Sequence, residues 1–217
     1  DNTAGQLSIS NITAPQGTLV NNHNGTWTFT PAQNFNGNLS LQFSVTDGLA
    51  TTTQAINLTV APVNDAPVVN PVNMTANEDN VLLIRESDLL ANASDVDGNN
   101  TLSITNIQTL QGSIVNNHNG TWSYTPPLNF NGNTSLLFSV SDGFVVTNQL
   151  LNVNVTPVND APITSPVSFS ATEDVPITFT SAQLLGSSTD VDSFTLTVVN
   201  VTATNGTVVN NGNGTWT

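Results

Sequence analysis

Two aspartates one residue apart, Asp95 and Asp97, return as Asp190 and Asp192. Asn64 and Asp65 return as Asn159 and Asp160, Glu78-Asp79 as Glu173-Asp174, and Asp47-Gly48 as Asp142-Gly143. These motifs hold twelve of the fifteen acidic residues; only Asp1, Glu86 and Asp88 lie outside them. The only basic residue is Arg85, and the formal net charge is -14. Carboxylates and amides at recurring positions, without a cationic partner, are the ligand chemistry of a hard divalent ion. Calcium takes about six to eight oxygens from Asp, Glu, Asn and backbone carbonyls. Zinc and copper favour histidine or cysteine, and the chain has no cysteine and two histidines. Magnesium fits poorly because it keeps several waters. The plainer account of the same motifs is a set of Asx turns and caps. A local EF-hand at Asp95-Val96-Asp97-Gly98 fails, because its twelfth position is Asn106 rather than glutamate.

Nothing in the sequence assembles an enzyme. There is no nucleophile elbow, no phosphate loop and no acid–base pair outside the repeated positions. His23 and His118 hold the same hairpin tip, where the third copy has Gly212, so a tolerant turn position explains them. Trp27, Trp122 and Trp216 could stack on sugars. Threonines alternate with them, however, and Trp122 shares a strand face with Tyr124, as Trp27 does with Phe29, which points to core packing. Asn-x-Thr sequons such as Asn24-Gly25-Thr26 are numerous, as chance produces in a chain this rich in both residues.

The elements that must position the acidic motifs follow from an internal repeat. V-N-N-H-N-G-T-W at 20–27 recurs unchanged at 115–122 and as V-N-N-G-N-G-T-W at 209–216, offsets of 95 and 94. The loop between Asp97 and Leu102 is a residue shorter in the last copy. Proline-rich strips at 62–67 and 157–162 read as short, stiff linkers. They divide the chain into 1–61, a copy without its opening strands; 62–156, a complete copy; and 157–217, a copy without its closing strands. The chain starts at Asp1 and its single methionine is Met74, so it reads as an excerpt of something longer.

Within the middle copy, alternation and turn signals predict seven strands, near 68–75, 81–84, 102–107, 113–116, 121–124, 135–140 and 149–155. Leu136, Phe138 and Val140 face one way, as do Leu151, Val153 and Val155; Leu137 and Asn154 point outward. Residues 87–90 form one short helical turn, and Asn-Gly at 119–120 supplies the positive φ of a tight hairpin. Seven short strands in about 95 residues fit an all-β, immunoglobulin-like Greek-key sandwich, here in a linear tandem array. In that topology the loops holding Asp95, Asp97 and Asp142 lie at the end beside Asn64 and Asp65. The loop holding Glu78 and Asp79 lies at the other end, beside Asn159 and Asp160. Each junction therefore gathers carboxylates from two domains and the linker between them, with Asp190, Asp192 and Glu173 as the same ligands one repeat later.

The chain resembles the cadherin-like tandem repeats of very large bacterial surface adhesins of the RTX or biofilm type. The resemblance spans all three copies. It rests on V-N-D-A-P at 63–67 and 158–162, N-E-D at 77–79, L-L-A-N-A-S-D-V-D-G at 89–98, G-T-W-S-Y-T-P at 120–126, F-N-G at 130–132 and V-S-D-G at 140–143. It implies calcium at the junctions, with Asn64 and Asp65 as linker ligands. Asp95, Asp97 and Asp142 would come from the following domain, and Glu78 would serve the next junction. The acidic pair that animal cadherins carry before their sixth strand is not evident; Asn129 and Asn131 stand there.

Composition excludes other classes. A nucleic-acid or polybasic membrane contact needs a basic face, and no apolar run reaches the roughly 18 residues of a spanning helix. Only 7% of residues are charged, and thiol chemistry is absent. The expected partners are calcium ions and neighbouring repeats of the same chain, with homophilic, host or surface ligands through other regions. The expected setting is extracellular, secreted or cell-surface attached, and the expected role is to extend and stiffen a stalk. Alternatives are a glycan- or protein-binding module, or an accessory repeat of a large secreted enzyme.

Overall fold

A computed structural model describes residues 7–97 and 101–217. The expected loop-length difference after Asp97, and Gly98 of the Asp-Val-Asp-Gly motif, fall at least partly outside the described residues. The first copy folds as β1 (Ser8–Thr13), β2 (Gly17–Asn21), β3 (Trp27–Pro31), β4 (Gly37–Thr46) and β5 (Thr51–Val60). The middle copy carries β6 (Val68–Val69), β7 (Val72–Asn77), β8 (Leu82–Arg85), α1 (Glu86–Leu90), β9 (Ala93–Ser94), β10 (Ser103–Thr109), β11 (Ser113–Asn116), β12 (Thr121–Thr125), β13 (Gly132–Ser141) and β14 (Val146–Thr156). The last contains β15 (Phe179–Thr180), α2 (Ser181–Leu185) and β16 (Thr215–Trp216).

The middle copy forms a four-stranded sheet in the order β10-β13-β14-β7 and a three-stranded sheet, β11-β12-β8. The first copy has the matching sheets β1-β4-β5 and β2-β3, and its described residues contain no counterparts of β7 and β8. The alternation expected from sequence holds: Leu136, Phe138, Val140 and Leu151 are fully buried, whereas Leu137 is 40% exposed. Trp122 and Trp216 are buried, so neither offers a face for sugar stacking. Trp27 is half-buried, because no counterpart of β8 lies beside β3.

The expected strand at 68–75 is two strands. Pro71 has no N–H to give a ladder, and the chain changes sheets there. β6 pairs antiparallel with β9, and β7 joins the four-stranded sheet. The Gln149 side-chain amide donates to the Val69 carbonyl at 2.9 Å, and Asn70 donates to the Asn92 carbonyl at 3.2 Å. The same pairing recurs in the last copy as the Ile163–Thr189 bridge.

The hairpin motif that repeats most faithfully is a hydrogen-bond fastener. Asn117 Nδ2 donates to Thr121 Oγ1 at 2.9 Å and to Ser123 Oγ at 3.0 Å, and Asn116 Oδ1 accepts from the His118 N–H at 2.8 Å. Asn22 and Asn211 make the equivalent pairs of bonds in their own copies. The positive φ values fall on His118 and Gly120, and on His23 and Gly25, not on the asparagine before each glycine. The histidine position is therefore a left-handed site, which Gly212 meets without a Cβ.

Tyr124 is fully buried, and its hydroxyl has no partner. A buried unsatisfied hydroxyl costs stability, and the first copy has Phe29 at this position. Tyr124→Phe is expected to stabilise the fold by about 1 kcal/mol, read as a higher urea midpoint at unchanged slope.

The described chain comprises two compact units. Of the described residues, one contains 7–72, 85–97, 101–108 and 137–151; the other contains Asn73–Ile84, Thr109–Leu136 and Asn152–Thr217. Each encloses one linker and loops that meet it.

Candidate metal centre

In the first unit, the linker at Asn64 and Asp65 is held by three aspartates from two loops. The Asp65 backbone N–H donates to Asp97 Oδ2 at 2.8 Å, and the Asp97 N–H donates to Asp95 Oδ1 at 2.8 Å. Asn64 Nδ2 donates to Asp142 Oδ2 at 2.8 Å and to the Asp65 carbonyl at 2.7 Å. Asp142 Oδ1 accepts from the N–H groups of Val145 at 2.6 Å and Phe144 at 2.7 Å, which closes the hairpin after β13. The Val145 N–H and then the Asn64 amide hold the Asp142 carboxyl below the usual carboxylate range. Asp47 closes the corresponding hairpin of the first copy through Ala50 and Leu49, with the same direction of shift. Asn34, Phe35, Asn36, Val60, Ala61 and Val63 line a hollow of about 260 Å³ beside Asp65 and Asp97.

The second unit repeats the arrangement. The Asp160 N–H donates to Asp192 Oδ2 at 2.6 Å, and Asp190 Oδ1 accepts from the N–H groups of Asp192 and Ser193, each at 2.8 Å. Asn159 Nδ2 donates to the Asp160 carbonyl at 2.6 Å. Glu78 adds a second loop. It is 1% exposed, its Oε1 accepts from the Val158 N–H at 2.7 Å, and its Oε2 accepts from Asn131 Nδ2 at 3.2 Å. Asp79, at the positive-φ position beside it, accepts from the Asn129 N–H at 2.8 Å. Burial, followed by the charges of Asp79, Asp192, Glu78 and Asp190, pushes the Asp160 carboxyl above its ordinary value.

Of the sequence-predicted ligands, the chain brings Asn64, Asp65, Asp95, Asp97 and Asp142 together in one unit. It brings Glu78, Asp79, Asn159, Asp160, Asp190 and Asp192 together in the other. Glu173 is exposed and joins neither group. Sequence reasoning did not include Asn131 among the site residues, although the recurrence of Phe35-Asn36-Gly37 at 130–132 marks the position.

The donor set fits calcium on two observations. Every side-chain donor is an oxygen ligand type, as a hard cation requires. Asp95 Oδ2 and Asp160 Oδ2 are buried with no hydrogen-bond partner, although a buried carboxylate oxygen ordinarily has one. Among the described residues, no three acidic or histidine side chains already form a metal-holding group. The carboxylates are turned towards backbone N–H groups instead, and the linker adds amide and carbonyl oxygens to the donor set.

A family model described as a cadherin-like domain matches residues 1–61, 63–156 and 158–217. No curated protein matches the chain. Among solved structures, human protocadherin-24 EC1-2 is 16% identical, with a TM-score of 0.43, and the match covers 73% of this chain and 85% of that one. Mouse protocadherin-24 EC1-3 is 15% identical, with a TM-score of 0.43, and the match covers 82% of this chain and 64% of that one. An endo-fucoidan hydrolase of glycoside hydrolase family 107 is 22% identical, with a TM-score of 0.32, and the match covers 75% of this chain. The chain spans 26% of that hydrolase's length. Matched by the family model over nearly its whole length, the chain belongs to the cadherin-like domain family.

Proposed function

We propose that this chain is a calcium-clamped segment of an extracellular adhesin, whose repeats extend and stiffen a cell-surface stalk. The role is structural, with no catalytic step, and the repeats act as domains 1–61, 62–156 and 157–217 separated at the two proline-rich linkers. The observation that carries the reading is the buried, unpartnered oxygen of Asp160, which sits in a field of four other carboxylates. Asp95 Oδ2 repeats the feature at the preceding linker.

Calcium would supply positive charge and six to eight coordination positions, roughly the number of oxygens a junction can offer. Asp95, Asp97 and Asp142 would hold it at one linker with Asn64 and Asp65. Glu78, Asp79, Asp190 and Asp192 would hold it at the other with Asn159 and Asp160. Glu173 would serve a further junction. The residues themselves already fix the loops: Asp142 closes its hairpin, and Glu78 anchors the linker backbone at Val158.

Titration calorimetry tests the reading. Calcium is expected to bind with a dissociation constant of about 10⁻⁴–10⁻³ M, the range of extracellular modules, and magnesium at least roughly tenfold more weakly. Absence of calcium heat up to 10 mM, roughly ten times the weaker limit, overturns it.

A further inference from the structure

The chain carries many Asn-x-Thr/Ser sequons, some in strands, some at hairpin tips, and others, such as Asn92 and Asn205, in turns and bends outside both. Those in strands include Asn73 in β7, Asn133 in β13 and Asn154 in β14. The extended backbone of such a strand is tied into a ladder, although the asparagine side chains are exposed; Asn73 Oδ1 also accepts from Asn152 Nδ2 at 3.1 Å. Another kind sits at a hairpin tip once in every copy, as Asn24-Gly25-Thr26, Asn119-Gly120-Thr121 and Asn213-Gly214-Thr215. All three asparagines are exposed. In each, the amide oxygen accepts from the hydroxyl of the sequon's own threonine at 2.7 Å. The hairpin fastener uses the preceding asparagines for its Nδ2 donors, so it leaves the Nδ2 of the tip asparagine to solvent. Chance explains how many sequons the chain has. The repeated hairpin fastener explains why the tip recurs, and the recurrence gives each copy one acceptor in the same bonded geometry.

We propose that Asn24, Asn119 and Asn213 are N-glycosylation acceptors that a transferase modifies on the folded chain, placing one sugar per repeat at the same hairpin tip. The reaction joins the asparagine Nδ2 to the anomeric carbon of a diphosphate-activated sugar. The carbon–oxygen bond to the diphosphate breaks, the diphosphate leaves with the electron pair, and one amide proton passes to a base of the transferase. The bond from the threonine hydroxyl holds the side chain in a bent conformation that an extended strand does not allow. Acceptors in strands become available only when the ladder opens, which lowers their rate by the population of the open state.

The test incubates the folded chain with a soluble sequon-specific N-glycosyltransferase and UDP-glucose. Sites are read as intact glycopeptides from a peptic digest, since Asn-Gly deamidation mimics enzymatic sugar release. Asn119 is expected to be modified at least about tenfold faster than Asn133 and Asn154 in the folded chain, a difference lost when the digest is the substrate. Thr121→Ala should abolish modification at Asn119 while Asn24 and Asn213 still react, and Thr121→Ser, which keeps hydroxyl and sequon, should retain it. Equal rates at Asn119 and Asn133 in the folded chain overturn the proposal, as does an unmodified Asn119 when the peptides react. Both outcomes are independent of calcium, so this test and the calorimetry fail separately.

Discussion

Adding about 10 mM calcium to the metal-free chain is expected to raise its melting temperature by roughly 5–20 °C. The size follows from linkage. An ion at about 10–100 times its dissociation constant stabilises a folded state by about 1.4–2.7 kcal/mol, and each kcal/mol moves a domain of about 100 residues by about 4–8 °C. The sign of one substitution separates this from nonspecific salt screening. Asp160→Asn removes a carboxylate that burial and four neighbouring charges disfavour, so in chelator the variant should melt higher than the parent. In calcium it should melt lower, because a ligand is lost. Magnesium or sodium at equal ionic strength should not reproduce that reversal. A parent chain whose melting is the same in calcium and in chelator sinks the calcium reading.

The metal-free chain also has a pH signature with two opposed parts. Asp160 has a folded pKa above its unfolded value, so the folded state binds the extra proton. Its contribution is fully present below the unfolded value near 3.8 and is lost as pH rises through the higher folded value. Asp142 and Asp47 run the other way. Their lowered values give stability that is present above 3.8 and is lost as pH falls towards the folded values.

Gly112→Ala is the substitution expected to damage the fold most, by about 3 kcal/mol. Gly112 sits in the turn between β10 and β11 with φ +78°. A Cβ there would press into the Thr125 carbonyl oxygen, a backbone atom at the end of β12 that cannot swing aside, and also meet Pro126 at 3.1 Å. Gly17 is the same residue one copy earlier and meets the Thr30 carbonyl in the same way. Gly206, the third equivalent, has φ +108° but nothing within 4 Å of its Cβ position. Gly206→Ala is therefore expected to cost only about 1 kcal/mol, the conformational part alone. Chemical denaturation of both variants checks the contrast; equal losses would show that strain, not contact with the strand end, sets the cost.

The sandwich was legible because its evidence is periodic. Leu136-Leu137-Phe138 alternates inward and outward, the first copy has Gln42 where the middle one has Leu137, and both facings hold in the fold. What sequence could not resolve is local and geometric. Nothing in Val68–Thr75 except Pro71 marks a change of sheet, and proline is tolerated at a strand edge as readily as at a break. The hairpin tip looked tolerant because histidine and glycine share it, although both occupy a left-handed backbone. At the linkers, the sequence named the carboxylates and topology assembled them. The donors that orient them are mostly backbone N–H groups, which have no letter of their own. Asn131 was visible as a motif, but its bond to Glu78 depends on the two loops meeting in space.

The linker grip bears on how such a chain carries load. Val158 is held by a glutamate from the repeat before it and Asp160, two residues later, by an aspartate from the repeat after it. Tension along the chain would reach that short stretch of backbone as shear on two charge-assisted hydrogen bonds, each stronger than a neutral one. These bonds would rupture before a strand is pulled from its sheet. The linker would then act as a fuse that lengthens the chain under force and resets when the force is removed, while the middle copy's sandwich stays folded.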